Sequence, residues 1–104
     1  MEVFKVKVTE SAESDIRNIA RYISSQLNAP TTALNMVRTI REAIANLKTN
    51  ALFSPLVRVE RLAAVGYRTL IIKKYMAFYI VDEKEKTVVV DRILYGRRDW
   101  QSML

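Results

Sequence analysis

The sequence predicts an α+β fold in which an N-terminal strand and an antiparallel two-helix hairpin precede a three-stranded antiparallel meander, with one sheet packed on the hairpin. Three features indicate it: an alternating apolar segment near the start, two long segments with apolar residues at helical spacing, and three apolar segments joined by short turns. A chain of 104 residues cannot divide its apolar residues between two cores, so residues 1–104 are predicted to form a single domain.

The first strand and the first helix are predicted from residues 3–27. In residues 3–8, Lys5 and Lys7 alternate with apolar residues, which is typical of a strand with one buried face. Thr9 is suited to cap the helix that follows, and acidic residues lie in the first turn, where the helix dipole favours them. The apolar residues of this helix fall on one stripe: Ile16, Ile19, Ala20, Ile23 and Leu27.

The second helix follows a short break at residues 28–30. Thr31 or Thr32 is predicted to cap it. Its apolar residues recur at intervals of four, three, four and three: Ala33, Val37, Ile40, Ile44 and Leu47. Because the connection between the two helices is short, we expect an antiparallel hairpin whose two stripes contribute to the core rather than to a binding face.

The rest of the chain is predicted to be a connector followed by the meander. Residues 49–66 keep no regular period, so we expect a connector with one short ordered piece. The strands are predicted at 67–73, 75–82 and 86–95, with Lys73 and Lys74 in the first tight turn. Both faces of each strand are largely apolar, so the hairpin should cover one face and leave the other only partly covered. A partly covered apolar face indicates a binding partner.

The composition excludes several classes of protein. No apolar run is long enough to cross a bilayer, and the N-terminus lacks the basic-then-apolar order of a signal peptide, so a cytoplasmic protein without membrane association is expected. The absence of cysteine and histidine excludes disulfides, cysteine nucleophiles, imidazole bases and the usual transition-metal sites. With two glycines, Gly66 and Gly96, there is no glycine-rich phosphate loop, and no cofactor or metal is expected.

The charge of the chain indicates an anionic partner. The net charge is +6 and the isoelectric point is near 9.8, which favours binding to nucleic acid or to an acidic protein segment. The excess lies in the second half, since residues 48–81 contain a single acid, Glu60. The cations of this segment are Lys48, Arg58, Arg61, Arg68, Lys73 and Lys74.

Arginine is the residue type best suited to carry chemistry in this chain. Arg68 is predicted early in the first meander strand, and Arg97 and Arg98 follow the last one. We expect these arginines near one end of the sheet, where they could stabilise a pentavalent phosphate while a tyrosine hydroxyl assists proton transfer. Four aromatic residues could supply stacking surfaces for RNA: Tyr67, Tyr75, Tyr95 and Trp100. Four further cations are candidates for binding RNA or another target: Arg58, Arg61, Lys73 and Lys74. The alternative is a solvated basic rim that only keeps the protein soluble or binds an acidic partner.

The carboxylate of Asp91 is a weaker candidate. It lies in the last predicted strand and is followed directly by Arg92. A buried acid in an ion pair would be a candidate functional group. A structural salt bridge or a solvent-facing position is the simpler interpretation.

Three segments of the sequence resemble the RelE/ParE superfamily of type II toxin–antitoxin toxins. They are "TESAESDIRNIARYISSQL" in the first helix, "GYRTLIIKKYMAFYIVDE" in the first hairpin and "VVVDRILYGRRDW" near the end. The resemblance implies a small intracellular toxin encoded beside an antitoxin, whose C-terminal segment wraps and neutralises it in a hetero-oligomer. It also implies one of two targets. RelE-like toxins cut mRNA in the ribosomal A site, whereas ParE-like toxins inhibit DNA gyrase and are not regarded as nucleases.

The resemblance to the nuclease branch holds at some positions and fails at others. Arg68 and either Arg97 or Arg98 match basic residues of that branch. Leu70 and Met76 stand where basic residues occur, and a methionine cannot stabilise phosphate charge. The tail is also apolar where a proton-transfer group is wanted, with Trp100, Met103 and Leu104.

The resemblance to the gyrase-inhibiting branch rests on the long hairpin, over residues 10–48, and on "RILYGRRD". Three hypotheses follow from the two branches. The favoured one is a ParE-like gyrase inhibitor. The alternatives are a ribosome-dependent endoribonuclease that uses Arg68, Arg97 and Arg98, and an inactive module that only binds its antitoxin.

Overall fold

The described residues form four strands and three helices in the order β1, α1, α2, α3, β2, β3, β4. The computed structural model describes residues 2–96 and 100–104, and of Trp100 and Gln101 it describes the backbone alone. The elements are β1 (Lys5–Val8), α1 (Glu10–Arg21), α2 (Pro30–Asn50), α3 (Glu60–Val65), β2 (Arg68–Ile72), β3 (Tyr75–Asp82) and β4 (Thr87–Tyr95). A π-helical turn, Tyr22–Gln26, extends α1, and a 3-10 turn, Trp100–Met103, follows β4. The predicted α+β architecture is confirmed.

The sheet has the strand order β1-β4-β3-β2, with β1 and β2 at its edges. β1 pairs with β4 in parallel, whereas β4 with β3 and β3 with β2 pair in antiparallel. Two successive antiparallel pairings make β2 and β4 run in the same direction. The prediction that the last strand returns toward Arg68 is therefore wrong. β4 ends instead beside the turn between β2 and β3, where the Gly96 N–H donates to the Lys74 carbonyl at 2.9 Å.

The helical hairpin begins as predicted at its first helix and differently at its second. The Thr9 side chain accepts a hydrogen bond from the Ala12 N–H and caps α1. At α2 the N-cap is Ala29, without a side-chain hydrogen bond, and Pro30 is the first helical residue, so the predicted cap at Thr31 or Thr32 is wrong. Proline fixes φ at a helical value and lacks the N–H that a first turn would leave unpaired, so it starts the helix without a capping side chain.

The π-helical turn changes the end of the first apolar stripe. Ile23 is buried, but Leu27 is 56% exposed, so its predicted place in the core is wrong. A π-helical turn contains more residues than an α-helical one, and it therefore rotates the side chains that follow away from the direction of the stripe. Leu27 consequently faces outward beside the end of the sheet.

The two faces of the sheet are covered unequally. The face toward the hairpin contributes buried residues to one core with both helices: Phe4, Ala12, Ile16, Ile40, Ile44, Leu47, Ile72, Ala77, Tyr79, Val88, Val90 and Ile93. On the other face, Phe78 is fully buried but Ile71 is 73% exposed. The expectation of a partly covered second face is confirmed at β2. No helix in the described ranges is long and apolar enough to cross a membrane.

Candidate functional site

The side chain of Arg68, a predicted site residue, makes a hydrogen bond within the fold. Its guanidinium Nη1 donates a hydrogen bond of 2.6 Å to the carbonyl of Ser54, in the segment that precedes α3. The same segment bridges the edge of β2, because the Val57 N–H donates to the Tyr67 carbonyl at 2.9 Å. Arg68 therefore holds the connector against β2, which is a structural use of its charge.

The hydroxyl of Tyr67 also makes a hydrogen bond within the fold. It donates a 2.6 Å hydrogen bond to Oδ2 of Asp91. Burial, followed by this hydrogen bond to a carboxylate, raises the pKa of Tyr67 to about 12. At neutral pH the hydroxyl therefore keeps its proton, and it is poorly matched to acid–base catalysis. Asp91 is thus a hydrogen-bond acceptor and not the partner of Arg92.

Tyr79 makes a third hydrogen bond in this part of the sheet. We name the three side chains Tyr67, Arg68 and Tyr79, with their hydrogen-bond partners, the Tyr67 region. The Tyr79 side chain is fully buried, and its hydroxyl donates to the Ala51 carbonyl at 2.6 Å. Burial raises its pKa. Each polar group of the region is therefore used to join the connector, β2 and β4.

An ion pair that the sequence did not reveal links α1 to β4. Oδ1 and Oδ2 of Asp15 accept hydrogen bonds of 2.9 and 2.8 Å from Nη2 and Nε of Arg92, and Oδ2 also accepts one of 2.9 Å from the backbone N–H of Ile93. The Arg92 Nη1 atom donates to the Met103 carbonyl at 3.0 Å. Hydrogen bonding to Asp15 raises the pKa of Arg92. One carboxylate thus fixes α1, the edge of β4 and, through Arg92, the 3-10 turn.

The signal for Asp15 was present in the helical spacing. Asp15 follows Ala12 by three residues and precedes Ile19 by four, so it lies on the apolar stripe of α1. A carboxylate on a buried stripe needs a cationic or N–H partner. Its partner could not be found from the sequence, because β4 is 77 residues away along the chain.

A cavity of about 530 Å³ lies where α1 and the π-helical turn face the adjacent ends of β3 and β4. We name it the tyrosine groove after Tyr22, Tyr75 and Tyr95, which line it together with Leu27 and Lys74. Tyr22 and Leu27 are more than half exposed, and Tyr95 is 36% exposed. An open apolar concavity with a few polar groups is the usual form of a binding site.

Aromatic packing shapes one wall of the tyrosine groove. The rings of Tyr75 and Tyr95 meet edge to face, with centroids 5.9 Å apart and an interplanar angle of 69°. Burial, followed by the proximity of Tyr22 and then Tyr95, raises the pKa of Tyr75. The Tyr75 hydroxyl therefore keeps its proton at physiological pH.

The structure separates the residues that the sequence predicted to act together. Tyr67 and Arg68 lie in the Tyr67 region, and Arg68 stands opposite Tyr79 in the register. Tyr75 and Tyr95 pair with each other at the start of β3, four residues before Tyr79, which is roughly 13 Å for the rise of a strand. Arg68 therefore cannot lie beside the end of β4.

The remaining predicted residues are distributed along the chain. Lys73 and Lys74 are exposed in the turn between β2 and β3, as predicted, and Lys74 lines the tyrosine groove. Arg58 and Arg61 are exposed before and within α3. Arg97 and Arg98 lie outside the described residues, and Trp100 is described only by its backbone in the 3-10 turn.

The described groups offer hydrogen bonds and apolar surface. Within residues 2–96 and 100–104, no cluster of three or more carboxylates could hold a metal ion. The hydroxyls of Tyr67, Tyr75 and Tyr79 hold their protons at neutral pH because the pKa of each is raised. The guanidinium of Arg68 is directed to a backbone carbonyl. The geometry therefore offers an apolar surface with a cationic edge and no assembled acid–base pair among the described residues.

Comparison with known structures places this fold among toxins. The chain is similar to a structure titled as the chromosomal ParDE toxin–antitoxin system of P. aeruginosa, with 25% identity and a TM-score of 0.73 over 89% of this chain and 96% of that one. A RelBE2 toxin–antitoxin complex from Mycobacterium tuberculosis matches with 19% identity and a TM-score of 0.63, covering 89% and 98%. This second likeness concerns the fold alone.

Sequence comparison decides the family. No curated protein matches the chain. The family described as the ParE toxin of the type II toxin–antitoxin system parDE matches residues 6–100, which is nearly the whole sequence. The chain therefore belongs to the ParE toxin family, within the RelE/ParE superfamily of type II toxin–antitoxin toxins.

Proposed function

We propose that this toxin acts by binding DNA gyrase and inhibiting it, and that a cognate antitoxin neutralises it. The observation that carries the proposal is the ParE family match over residues 6–100. Gyrase inhibition is the activity that the resemblance to ParE-like toxins implies. Because gyrase acts on DNA inside the cell, the proposal includes a cytoplasmic location.

The chemistry of the chain supports inhibition by binding rather than by cleavage of RNA. The 104 residues of the sequence include no histidine or cysteine to serve as a base or nucleophile. The Tyr67 hydroxyl is hydrogen-bonded to Asp91 and has a pKa of about 12. Arg68, the arginine assigned to the endoribonuclease hypothesis within the described residues, is held by the Ser54 carbonyl. An inhibitor that only occupies its target needs none of these groups to be free.

The experiment that tests the proposal measures supercoiling of relaxed plasmid by purified gyrase. We expect the purified toxin to block supercoiling and the antitoxin encoded beside it to restore it. Arg68→Ala should inhibit like the wild type once its folding has been verified, because Arg68 serves the fold. Wild-type activity of gyrase at a large excess of toxin would contradict the proposal.

The endoribonuclease and the inactive module are tested in the same preparation. Primer extension on a ribosome-bound message would reveal discrete cuts if the chain were a nuclease, and Arg68→Ala should then abolish them. We expect the message to remain intact. If induced expression changes neither growth, nor supercoiling, nor the message, the chain only binds its antitoxin.

A toxin–antitoxin hetero-oligomer is the proposed form in the cell. The ParDE and RelBE2 structures to which the chain is similar are titled as a toxin–antitoxin system and a toxin–antitoxin complex. Light scattering on the co-expressed toxin and antitoxin should give the mass of a complex that contains both chains. Recovery of the two proteins as separate species would contradict this assembly.

A further inference from the structure

The two most exposed large apolar side chains among the described residues lie in and beside β2. Phe53, which follows the end of α2, is 82% exposed, and Ile71 of β2 is 73% exposed. Because Ile72 is buried against the hairpin, Ile71 lies on the second face of the sheet. Large apolar side chains left in water are unfavourable, and they mark an interaction surface when they lie together.

The connector brings these two side chains to one place. It runs antiparallel to β2, and Leu56 forms a bridge with Arg68. The backbone hydrogen bonds on either side of that bridge, of 2.9 and 3.4 Å, follow the same register. Continued along both segments, this register sets Phe53 opposite Ile71. Opposite residues of an antiparallel pair lie on one face, within reach of each other. We name Phe53 and Ile71 the β2-edge patch.

The charges around the β2-edge patch are cationic. Lys73 is exposed two residues past the patch, in the turn after β2, and Lys48 is exposed near the end of α2, five residues before Phe53. Glu60 is the single acid in residues 48–81. An apolar centre with a cationic rim suits a partner whose apolar pocket is bordered by carboxylates. A second copy of this chain, itself at +6, would be repelled.

We propose that the β2-edge patch docks the toxin on gyrase, with Phe53 and Ile71 inserted into an apolar pocket whose acidic border faces Lys73. The identity of the partner rests on the proposed function. The location rests on the exposure of the two side chains, on the register of the connector and on the charges of the rim. An inhibitor that acts by occupying its target needs such a surface and no catalytic group.

The apolar part of the proposal is tested with Phe53→Ala and Ile71→Thr. Both side chains are largely exposed, and threonine keeps the β-branched shape that suits a strand, so thermal denaturation should show wild-type folding. The measurement is the toxin concentration that halves supercoiling of relaxed plasmid by purified gyrase. We expect this concentration to rise roughly 10- to 100-fold in each variant, as for the anchor residues of an interface.

Leu34→Ala is the matched control for an exposed apolar side chain. Leu34 is 69% exposed, but it lies near the start of α2, about 24 Å along the helix from Asn50 for a rise of 1.5 Å per residue. The half-inhibiting concentration should change less than about twofold. A loss equal to that of the patch variants would indicate unspecific apolar association and would overturn the inference.

The cationic rim is tested with Lys73→Asn. Lys73 has a φ of 57°, which asparagine adopts more readily than most residues, so the charge is removed without straining the turn. Binding to immobilised gyrase should weaken about three- to tenfold at low salt and less at high salt. Lys84→Asn removes the same charge from the exposed turn at the opposite end of β3 and should leave binding unchanged. Equal effects of the two variants would indicate general charge attraction and would overturn the acidic border.

The same assays separate a failure of this inference from a failure of the proposed function. If the wild type inhibits gyrase and the patch variants inhibit it equally well, the inference is wrong and the proposed function stands. If the wild type neither binds nor inhibits gyrase, both are wrong.

Three further results would assign the β2-edge patch to another occupant and would overturn the inference. The first is a loss of affinity for the antitoxin encoded beside the toxin while gyrase inhibition is unchanged. The second is self-association of the toxin that Phe53→Ala abolishes. The third is binding of the toxin to plasmid without gyrase that Lys73→Asn abolishes, which would assign the rim to DNA.

Discussion

Tyrosine and basic side chains occur both in the Tyr67 region and in the tyrosine groove, and the two regions use them in opposite ways. In the Tyr67 region, three polar groups donate within the chain: Tyr67 to Asp91, Arg68 to Ser54 and Tyr79 to Ala51. In the tyrosine groove, Tyr22 and Tyr95 expose aromatic surface and Lys74 is solvated. The first arrangement stabilises the fold, whereas the second leaves surface for another molecule.

The difference teaches that residue type alone does not mark a binding site in this chain. An arginine beside a tyrosine at residues 67 and 68 satisfies the compositional signature of RNA recognition. Burial nevertheless requires each polar group to find a partner, and no buried side-chain nitrogen or oxygen of the described residues lacks one. A side chain that already has its partner within the fold contributes little to recognition. The following substitutions, from the largest expected effect to the smallest, test this distinction.

The same substitution in the two regions should give the largest contrast. Tyr79→Ala removes a fully buried ring and leaves the Ala51 carbonyl unpaired, so we expect it to lower the free energy of unfolding by about 3–5 kcal/mol. Tyr95→Ala removes a ring that is 36% exposed and should cost about 1 kcal/mol, mainly from its contact with Tyr75. Urea denaturation measures both. Similar losses for the two variants would remove the distinction between the regions.

Asp15→Ala tests whether the Asp15 carboxylate, which lines the tyrosine groove, stabilises the fold. The change leaves the Ile93 N–H and the Arg92 guanidinium without their partner, and it should lower the free energy of unfolding by about 3 kcal/mol. Asp15→Asn keeps an acceptor for the N–H and should cost less. Urea denaturation of both variants measures the difference. A loss of unfolding free energy smaller than that of Tyr95→Ala would mean that the bonds of Asp15 to Arg92 and Ile93 do not hold α1 to β4.

Tyr67→Phe tests the hydrogen bond to Asp91. It should lower the free energy of unfolding by about 1–2 kcal/mol at neutral pH, because the carboxylate loses a donor. The pH dependence is a sharper signature. An unfolded tyrosine ionises near pH 10, whereas Tyr67 in the fold keeps its proton until about pH 12, so the folded state binds more protons between these values.

The free energy of unfolding of the wild type should therefore decrease as the pH rises from about 10 to about 12, and Tyr67→Phe should reduce that slope. Urea denaturation at several alkaline pH values measures it. Tyr95→Phe is the matched control from the tyrosine groove. An unchanged slope in Tyr67→Phe would show that the hydroxyl is not held by Asp91.

Glu13→Gln should have the smallest effect, since it lies in neither region. The hydrogen bond from Arg41 lowers the pKa of Glu13, so its contribution is present above pH 4.5 and is lost as the pH falls through the folded value. The two side chains are 30% and 47% exposed, and solvent screening should keep the contribution below about 0.5 kcal/mol. Thermal denaturation at pH 7 and pH 3 measures it. A larger loss would show that this surface ion pair stabilises the fold more than its exposure predicts.

Most of the fold could be predicted because it follows from local patterns. The alternation in β1, the stripe of α2 and the tight turn at Lys73 and Lys74 each involve a few neighbouring residues. The start of α2 and the orientation of Leu27 were predicted wrongly. In both cases backbone geometry, of Pro30 at one and of the π-helical turn at the other, overrode the side-chain pattern.

The candidate site was less predictable because it depends on register and direction. Arg68 and the end of β4 were predicted to be neighbours. They are separated because β2 and β4 run in the same direction, so the start of one and the end of the other lie at opposite ends of the sheet. The ion pair of Asp15 with Arg92 joins residues 77 positions apart. No local pattern contains that information. Tyr75 and Tyr95 were recognised as candidates, but their grouping with Tyr22 and Leu27 required the packing of α1 against β4.

The parallel pairing of β1 with β4 has a consequence for the synthesis of the toxin. Lys5 pairs with Thr87 and Val8 with Val90, so the first strand has no partner in the sheet until the last strand has left the ribosome. Closing so long a loop is slow compared with forming a helical hairpin. The sheet, and with it the tyrosine groove at the end of β4, therefore assembles late in translation. The groove is therefore complete only once the toxin is almost fully made.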